Sequence, residues 1–353
     1  MAMLQDSPTR AEQLQAYYQD LASYHTGPLW VVLHDLVAKE PRPKAVPHVW
    51  RWAELRPHVY RAGDLLTTEE AERRVVVLQN PGLGGQPAIT TTLYAGLQLI
   101  LPGEIARSHR HTAAALRLIV EGHGAYTAVN GEKTLMNPGD LVLTPSWTWH
   151  DHGNESEEPM VWLDGLDAPL VNLFDAMFFE PYADPQYPVS KPENDSLHKY
   201  GSGALVPTYE QHLGAHSPLL NYTWERTRAT LAEVASHGGG SPHDGIIMEY
   251  VNPRTGGPVM PTMGCHAQWL PPGFATEPHR HTSSVVYHVV EGAGYSLIGD
   301  QRYEWQEKDV FCVPSWVPHE HVNASGEAPA VLFSFTDAPV LRAFGLYREA
   351  SES

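Results

Sequence analysis

At 353 residues the chain is more than twice the size of a typical single domain, which predicts two domains or one domain built twice. Apolar residues make up 42% of it and charged residues 18%, ample material for large cores, so disorder is excluded as the dominant state. A formal net charge of −18 with no basic stripe argues against a nucleic-acid partner, because phosphate binding needs clustered Lys and Arg.

The 29 glycines and 30 prolines are together about 17% of the chain, above the roughly 12% of average proteins, with no collagen period or low-complexity tract. That excess reads as many turns joining short strands. No apolar run approaches a membrane span, so no membrane partner is expected. The start, MAMLQDSPTRAEQLQ, is polar where a signal peptide needs an apolar segment, and a cytoplasmic location is expected. Cys265 and Cys312 are the only cysteines and are expected as free, buried thiols.

In chain order, residues 10–24 carry Leu14, Tyr17, Tyr18 and Leu21 at helical spacing. Ser7 followed by Pro8 suits the start of that helix, with Asp6 as the alternative cap. A second short helix is expected over 69–74. Then the chain repeats itself. PGEIARSHRHTAAALRLIVEGHG at 102–124 returns as PGFATEPHRHTSSVVYHVVEGAG at 272–294, shifted by 170 residues. TPSWTWHDHGN at 144–154 returns as VPSWVPHEHVN at 313–323, shifted by 169, so one residue is lost in the intervening hairpin. Two segments in the same order at nearly one offset mark a duplicated domain.

Each copy reads as mainly β. Residues 117–120 and 285–290 are rich in β-favouring types and end in Glu-Gly turns, 137–140 (NPGD) is a turn, and 141–144 is a short strand closed by Pro145. Such strands in a copy of roughly 90 residues predict a sandwich or small barrel. Residues 176–250, with SHGGGSPHDG at 236–245 and few sustained apolar patterns, read as a connector with some helix. The expected division is a helical N-terminal extension and lead-in at 1–84, a first barrel at 85–175, the connector at 176–250, a second barrel at 251–345 and a tail at 346–353.

His109 and His111 stand two apart, as do His279 and His281. Residues i and i+2 of a strand share a face, so both imidazoles of a pair enter one interior. The second segment adds His150 or His319 from another strand, followed two residues on by His152 or His321. Three neutral imidazoles converging from two strands can bind Fe, Mn, Ni, Cu or Zn. The competing reading is a set of core histidines satisfied by hydrogen bonds.

The spacing G-x5-H-x-H-x3-(E)-x6-G, then G-x5-P-x-G-x2-H-x3-N, resembles the pair of cupin motifs. Gly103, His109, His111, Gly122, Gly139, Pro145, His150 and Asn154 fill it in the first copy. Gly273, His279, His281, Gly292, Pro314, His319 and Asn323 fill it in the second, with Lys308 in place of a glycine. Trp147 and Trp316 replace a further glycine, and Ala115 and Val285 stand where the motif has a metal-binding glutamate. The doubled motif without that glutamate, with LYAGLQLILPGE at 93–104 and PSWTWHDHGNESEEPMVWLDGLD at 145–167, resembles the bicupin gentisate 1,2-dioxygenase family. That family includes salicylate and 1-hydroxy-2-naphthoate dioxygenases.

The resemblance implies two tandem double-stranded β-helix (jelly-roll) barrels in a homotetramer. It implies one Fe(II) per chain, held by His109, His111 and His150 in the first barrel, with O2 as co-substrate. The implied substrate is a small aromatic 2-hydroxycarboxylate, opened between its carboxyl- and hydroxyl-bearing carbons, so that gentisate gives maleylpyruvate. Charge agrees with this. Three neutral ligands leave the metal its full +2, which a chelating carboxylate and phenolate neutralise, and an octahedral ion keeps one further position for O2.

The duplication also acts as an internal control. Arg117 faces Tyr287 in the second copy, and Asp164 faces Phe333 at the 169-residue offset. Arg117 lies six residues after His111 and shares its inward face, where a cation suits a substrate carboxylate. An ion pair with Asp164 is the structural alternative. His152 is expected as a proton donor, although His321 persists in the second copy. Tyr94, facing Gly264, offers an aromatic wall, and Gln98 is matched by Gln268.

By resemblance, Arg73 of the Arg73-Arg74 pair approaches the substrate carboxylate. The expected site is therefore His152, Arg117 and Asp164 for catalysis, with Arg73, Tyr94, Gln98 and Arg117 on the substrate. Trp147, Trp149 and Trp162 read as barrel packing. His279, His281 and His319 read as a vestigial second metal site or a scaffold. Salicylate or 1-hydroxy-2-naphthoate in place of gentisate is the nearest alternative, and a non-catalytic metal-binding bicupin a remoter one. A manganese bicupin of the oxalate-degrading kind needs the glutamate that Ala115 and Val285 replace.

Overall fold

Ahead of Arg42 the chain forms two helices, Arg10–Ser23 and Leu29–Leu36. Thr9 caps the first: its hydroxyl accepts from Glu12 N, and the Glu12 carboxylate accepts from Thr9 N at 2.6 Å. Asp6, Ser7 and Pro8 lie outside the described residues, which are 9–211 and 214–351 of this computed structural model. The second helix opens on five consecutive apolar residues, a run too short to show a helical period, and the pattern passes over it. A second compact unit begins at Pro43.

From Pro43 the protein is built twice, and the duplication runs further than the sequence suggests. Each half supplies an edge strand, a helix, a second edge strand, a barrel, a short helix and a closing strand. In the first half, His48–Trp50, Trp52–Leu65 and Val75–Val77 precede the barrel, and Ala168–Leu173 and Phe179–Pro181 follow it. In the second, Asn221–Tyr222, Trp224–Ser236 and Ile246–Glu249 precede it, and Ala338–Ala343 and Glu349–Ser351 follow. The lead-in, connector and tail thus all contribute strands to the barrels. Phe179–Pro181 pairs with the strand carrying His109 and His111, and Glu349–Ser351 with that carrying His279 and His281. Strands of two to four residues are too short to show alternation, which is why they read as connections.

The helix expected over 69–74 is shorter, Thr68–Ala71, and releases Arg73 and Arg74 ahead of the edge strand. Helix Trp52–Leu65 escapes the pattern because Pro57 and Gly63 lie inside it. Gly63 is where it meets the barrel: a Cβ there would sit 3.0 Å from Leu99.

The two halves exchange their first strands. His48–Trp50 pairs with Val310–Val313 of the second barrel, and Asn221–Tyr222 with Leu141–Thr144 of the first. Each following helix returns to its own half, Trp52–Leu65 against Tyr94–Ile100 and Trp224–Ser236 against Gly264–Leu270. Equivalent carboxylates hold the crossings. Asp309 Oδ1 accepts from Trp52 N and Asp140 Oδ1 from Trp224 N, both at 2.8 Å, an anion at each helix N-terminus.

Each barrel is a six-stranded antiparallel sheet facing a five-stranded one. The first six-stranded sheet runs Asn221–Tyr222, Leu141–Thr144, Ala115–Glu121, Met160–Leu166, Tyr94–Ile100, Val75–Val77. Its five-stranded partner runs Phe179–Pro181, Ile105–His111, His150–Asn154, Ala125–Val129, Glu132–Leu135, and the second half repeats both orders. Leu97, Leu99, Leu116, Leu118, Val161 and Leu163 pack with Cys265, Val286, Phe333 and Phe335 in a core between the barrels. Ile100, Ile119, Met160 and Trp162 point the other way and fill the first barrel's interior. Burial on both faces explains why these strands read as nearly unbroken apolar runs. Both cysteines are free and buried, as expected. Among the described residues no helix is long and apolar enough to cross a membrane.

Candidate active site

Strands Ile105–His111 and His150–Asn154 pair so that His109 lies opposite His150. The ring centroids of His109, His111 and His150 are 4.4, 4.9 and 5.3 Å apart, and one nitrogen of each comes within 4.8 Å of the others. Backbone carbonyls accept from the Nδ1–H groups of two of them, Ala113 O 2.7 Å from His111 and Thr148 O 2.9 Å from His150, whereas His109 Nδ1 has the Arg73 guanidinium at 2.9 Å and Arg107 O at 3.3 Å. A histidine that donates Nδ1–H to a carbonyl keeps its Nε2 lone pair for a metal. Burial pushes all three below the ordinary histidine range, His109 to about 2, so the rings are neutral, as ligands must be. Neutral and convergent, with two rings oriented by carbonyls, this triad fits a divalent first-row metal.

The turn from Leu141–Thr144 into His150–Asn154 carries strain where the motif has glycine. Trp147 has φ +59° and its counterpart Trp316 +63°, a region bulky residues rarely enter. Their N–H groups donate to the carbonyls of His111 and His281, at 2.8 and 2.7 Å, so the turn is tied to the second histidine of each pair. Trp147 is 38% exposed and does not pack the barrel as expected. Its left-handed backbone turns the ring out onto the Arg110 guanidinium, 4.4 Å away, and Trp149 meets the same cation at 4.4 Å. Only Trp162 of the three is fully buried in the barrel interior.

Arg73, Tyr94, Gln98, Arg117 and Asp164 line the same cavity as the triad, a space of about 220 Å³. Register places Arg117 opposite Asp164, with Nε 3.3 Å from Asp164 Oδ1, and its Nη1 donates to the Thr144 hydroxyl. Asp164 also accepts from Trp162 Nε1 at 3.0 Å. Burial raises the Asp164 carboxyl to about 6 against the pull of Arg117. The ion pair foreseen as the structural alternative is therefore present, and Arg117 borders the cavity as well. Arg73 donates to Arg107 O at 2.6 Å and lies 2.9 Å from His109 Nδ1. Burial lowers it to about 10, which leaves it cationic at neutral pH. Arg74 turns away into an ion pair with Glu104.

Two expectations change. His152 does not line the cavity. It is fully buried against Trp162, with Nδ1 3.0 Å from the Thr127 hydroxyl, and burial keeps it neutral. The counterpart of Asp164 is Ser334 and not Phe333, because Tyr287 pairs with Ser334 as Arg117 pairs with Asp164. Loop 324–329 is one residue longer than loop 155–159, which restores the 170-residue offset beyond it.

Val75, Leu166 and Ala168 form an apolar wall that the sequence does not reveal. Val75 lies opposite Gln98, and Leu166 opposite both Tyr94 and Ala115, so their signal is strand pairing, which one sequence does not carry. Ala115 also faces the cavity. Ala115→Glu is expected to set a carboxylate beside the triad, lower the site's net charge and weaken binding of an anionic substrate. Unchanged substrate affinity and turnover would show that this position has no influence on the metal.

The Cupin domain profile matches residues 96–165 and 268–336, once per barrel. The chain is 44% identical to gentisate 1,2-dioxygenase 1 of Aquipseudomonas alcaligenes, over 98% of both chains. It is 43% identical to 5-aminosalicylate 1,2-dioxygenase of a Comamonas species, over 95% of this chain and 90% of that one. The crystal structure of salicylate 1,2-dioxygenase from Pseudoaminobacter salicylatoxidans with gentisate superposes with a TM-score of 0.92 at 36% identity, covering 99% of this chain and 96% of that one. With both barrels, both motifs and a full-length match in hand, the chain belongs to the gentisate 1,2-dioxygenase family of bicupin, ring-cleaving oxidoreductases.

Proposed function

We propose that the first barrel binds Fe(II) and uses O2 to open gentisate between its carboxyl- and hydroxyl-bearing carbons, giving maleylpyruvate. The observation that carries this reading is the charge of the cavity. Three neutral histidines, an alanine at position 115 and two guanidiniums surround one space, and the single carboxylate there, Asp164, is engaged with Arg117. Such a cavity suits a chelating dianion. Its volume of about 220 Å³ exceeds the roughly 150 Å³ that holds benzene, which leaves room for a ring with a carboxylate and hydroxyls.

Each residue has a part in this reading. Arg117, held in place by Asp164 and Thr144, presents a fixed guanidinium to the substrate carboxylate, and Arg73 adds a second cation. Tyr94 keeps its proton because burial pushes the phenol upward, so its hydroxyl donates to a polar ring substituent instead of repelling it. Gln98 offers an amide on the same face, and Val75, Leu166 and Ala168 exclude water from the ring. Fe(II), when bound, supplies the electron path between the hydroxylated ring and O2. His152, enclosed 5.9 Å from the His150 ring, is better placed to fix that ring than to hand a proton to substrate. A homotetramer, as the family suggests, completes the proposal.

One further reading has support. The 5-aminosalicylate and salicylate dioxygenases match over nearly the whole chain, which keeps a salicylate without the 5-hydroxyl in contention. O2 uptake by protein loaded anaerobically with Fe(II) separates the readings, with gentisate, salicylate and 1-hydroxy-2-naphthoate run in parallel. The highest kcat/KM is expected for gentisate. A higher value for either of the others moves the assignment to that acid, and no uptake with any of them overturns it.

A further inference from the structure

The second barrel carries a triad of its own. His279, His281 and His319 each offer a ring nitrogen within 4.8 Å of the others. Val317 O lies 3.0 Å from His319 Nδ1 and Ser283 O 2.9 Å from His281 Nδ1, the same orientation as in the first barrel. Two features set this site apart. It is closed: the three histidines are 5%, 8% and 1% exposed, and His279 Nδ1 and His319 Nε2 are buried without a hydrogen-bond partner. Buried ring nitrogens left in that state call for an occupant.

The second feature is an inversion of charge. Tyr287 replaces Arg117 and stacks on Phe311 with centroids 4.8 Å apart. The segment just ahead of the edge strand delivers Arg73 to His109 in the first barrel. In the second, the equivalent segment delivers Asp244 to His279, with Oδ1 3.8 Å from Nε2. Asp244 is firmly held there. Its Oδ2 accepts from the Ser241 hydroxyl at 3.0 Å, and its carbonyl accepts from Gln268 Nε2 at 2.7 Å. Neighbouring Pro242 O accepts from Glu277 N at 2.8 Å, which fastens the loop to the chain two residues before His279.

We infer that the second barrel is a metal site in its own right, a divalent cation held by His279, His281 and His319 and balanced by the carboxylate of Asp244. In the first barrel two arginines share one carboxylate, which leaves positive charge for an anion from solution. In the second the arginines are gone and the chain brings its own anion. Structural metal sites are closed, whereas catalytic ones keep a position open, and a carboxylate beside a ligating histidine is a common partner of such centres. The assignment does not depend on which ring acid the first barrel opens.

Metal binding read without turnover tests it. The variant His109→Ala/His111→Ala, which lacks the first triad, is titrated anaerobically with Fe(II) and with Zn(II). Bound metal is counted by mass spectrometry and the melting temperature followed. One metal per chain and a rise in Tm on loading are expected. Adding Asp244→Asn should weaken that metal about 10- to 100-fold in a chelator competition. No metal on the folded double variant overturns the site. An unchanged affinity after Asp244→Asn overturns the part assigned to the carboxylate. The converse variant, His279→Ala/His281→Ala, is expected to bind one metal fewer per chain than the native protein, and an undiminished count also overturns the site.

Discussion

His150→Ala is expected to reduce ring cleavage to background and to remove one metal per chain. His150 is the most enclosed member of the first triad, 1% exposed, and its Nδ1 is taken up by Thr148 O at 2.9 Å. It sits opposite His109 in the strand pair, so its loss leaves His109 and His111 on one wall with nothing facing them. Two neutral imidazoles from a single strand hold a divalent metal far more weakly than three from two strands. The same result is expected for His109→Ala and His111→Ala, which differ in burial but not in ligand count. Metal analysis after anaerobic Fe(II) loading, together with O2 uptake and a circular-dichroism spectrum, checks this. A normal metal count in all three folded variants would sink the assignment of the triad.

Arg117→Met is expected to lower kcat/KM by about one to two orders of magnitude while leaving metal content unchanged. A charge-assisted hydrogen bond contributes roughly 1.5–3 kcal/mol, and about 1.4 kcal/mol is a factor of ten. Arg117 also pairs with Asp164, so the single variant strands a buried carboxylate. That carboxyl is already raised to about 6 by burial, and without Arg117 it rises further and holds its proton at neutral pH. The double variant Arg117→Met/Asp164→Asn separates the two effects. An asparagine at 164 can still accept from Trp162 Nε1 without placing a charge in the barrel. The double variant should regain stability and keep the catalytic defect. Recovery of kcat/KM would mean that Arg117 serves only to neutralise Asp164.

The parts of this site that are legible in the sequence are local ones. His109 and His111 share a face because strand residues alternate, and that needs no knowledge of the partner strand. Arg117 does reach the cavity, but not by that alternation: His111 ends Ile105–His111, and Arg117 lies beyond a turn on Ala115–Glu121 of the facing sheet. Residues whose position depends on a partner are harder to read. His152 has the same parity as His150, yet it lies deeper in the barrel against Trp162 and off the cavity lining. The correspondence of Asp164 with Ser334 is lost in the sequence because a one-residue difference in an exposed loop changes the offset without changing the strand pairing.

The sequence by itself determines that the protein is a duplicated β barrel with a three-histidine set in each copy and no ligating glutamate in either. Those facts are comparisons of the chain with itself and with a short motif, and they rest on spacings of a few residues. Only the tertiary structure decides that the halves exchange their first strands, that Val75, Leu166 and Ala168 wall the cavity, and that Asp244 lies against His279. Each of these joins segments far apart in the chain through strands of only a few residues. These are half-buried edge strands of two to four residues, too short to show an alternation from which to read their neighbours.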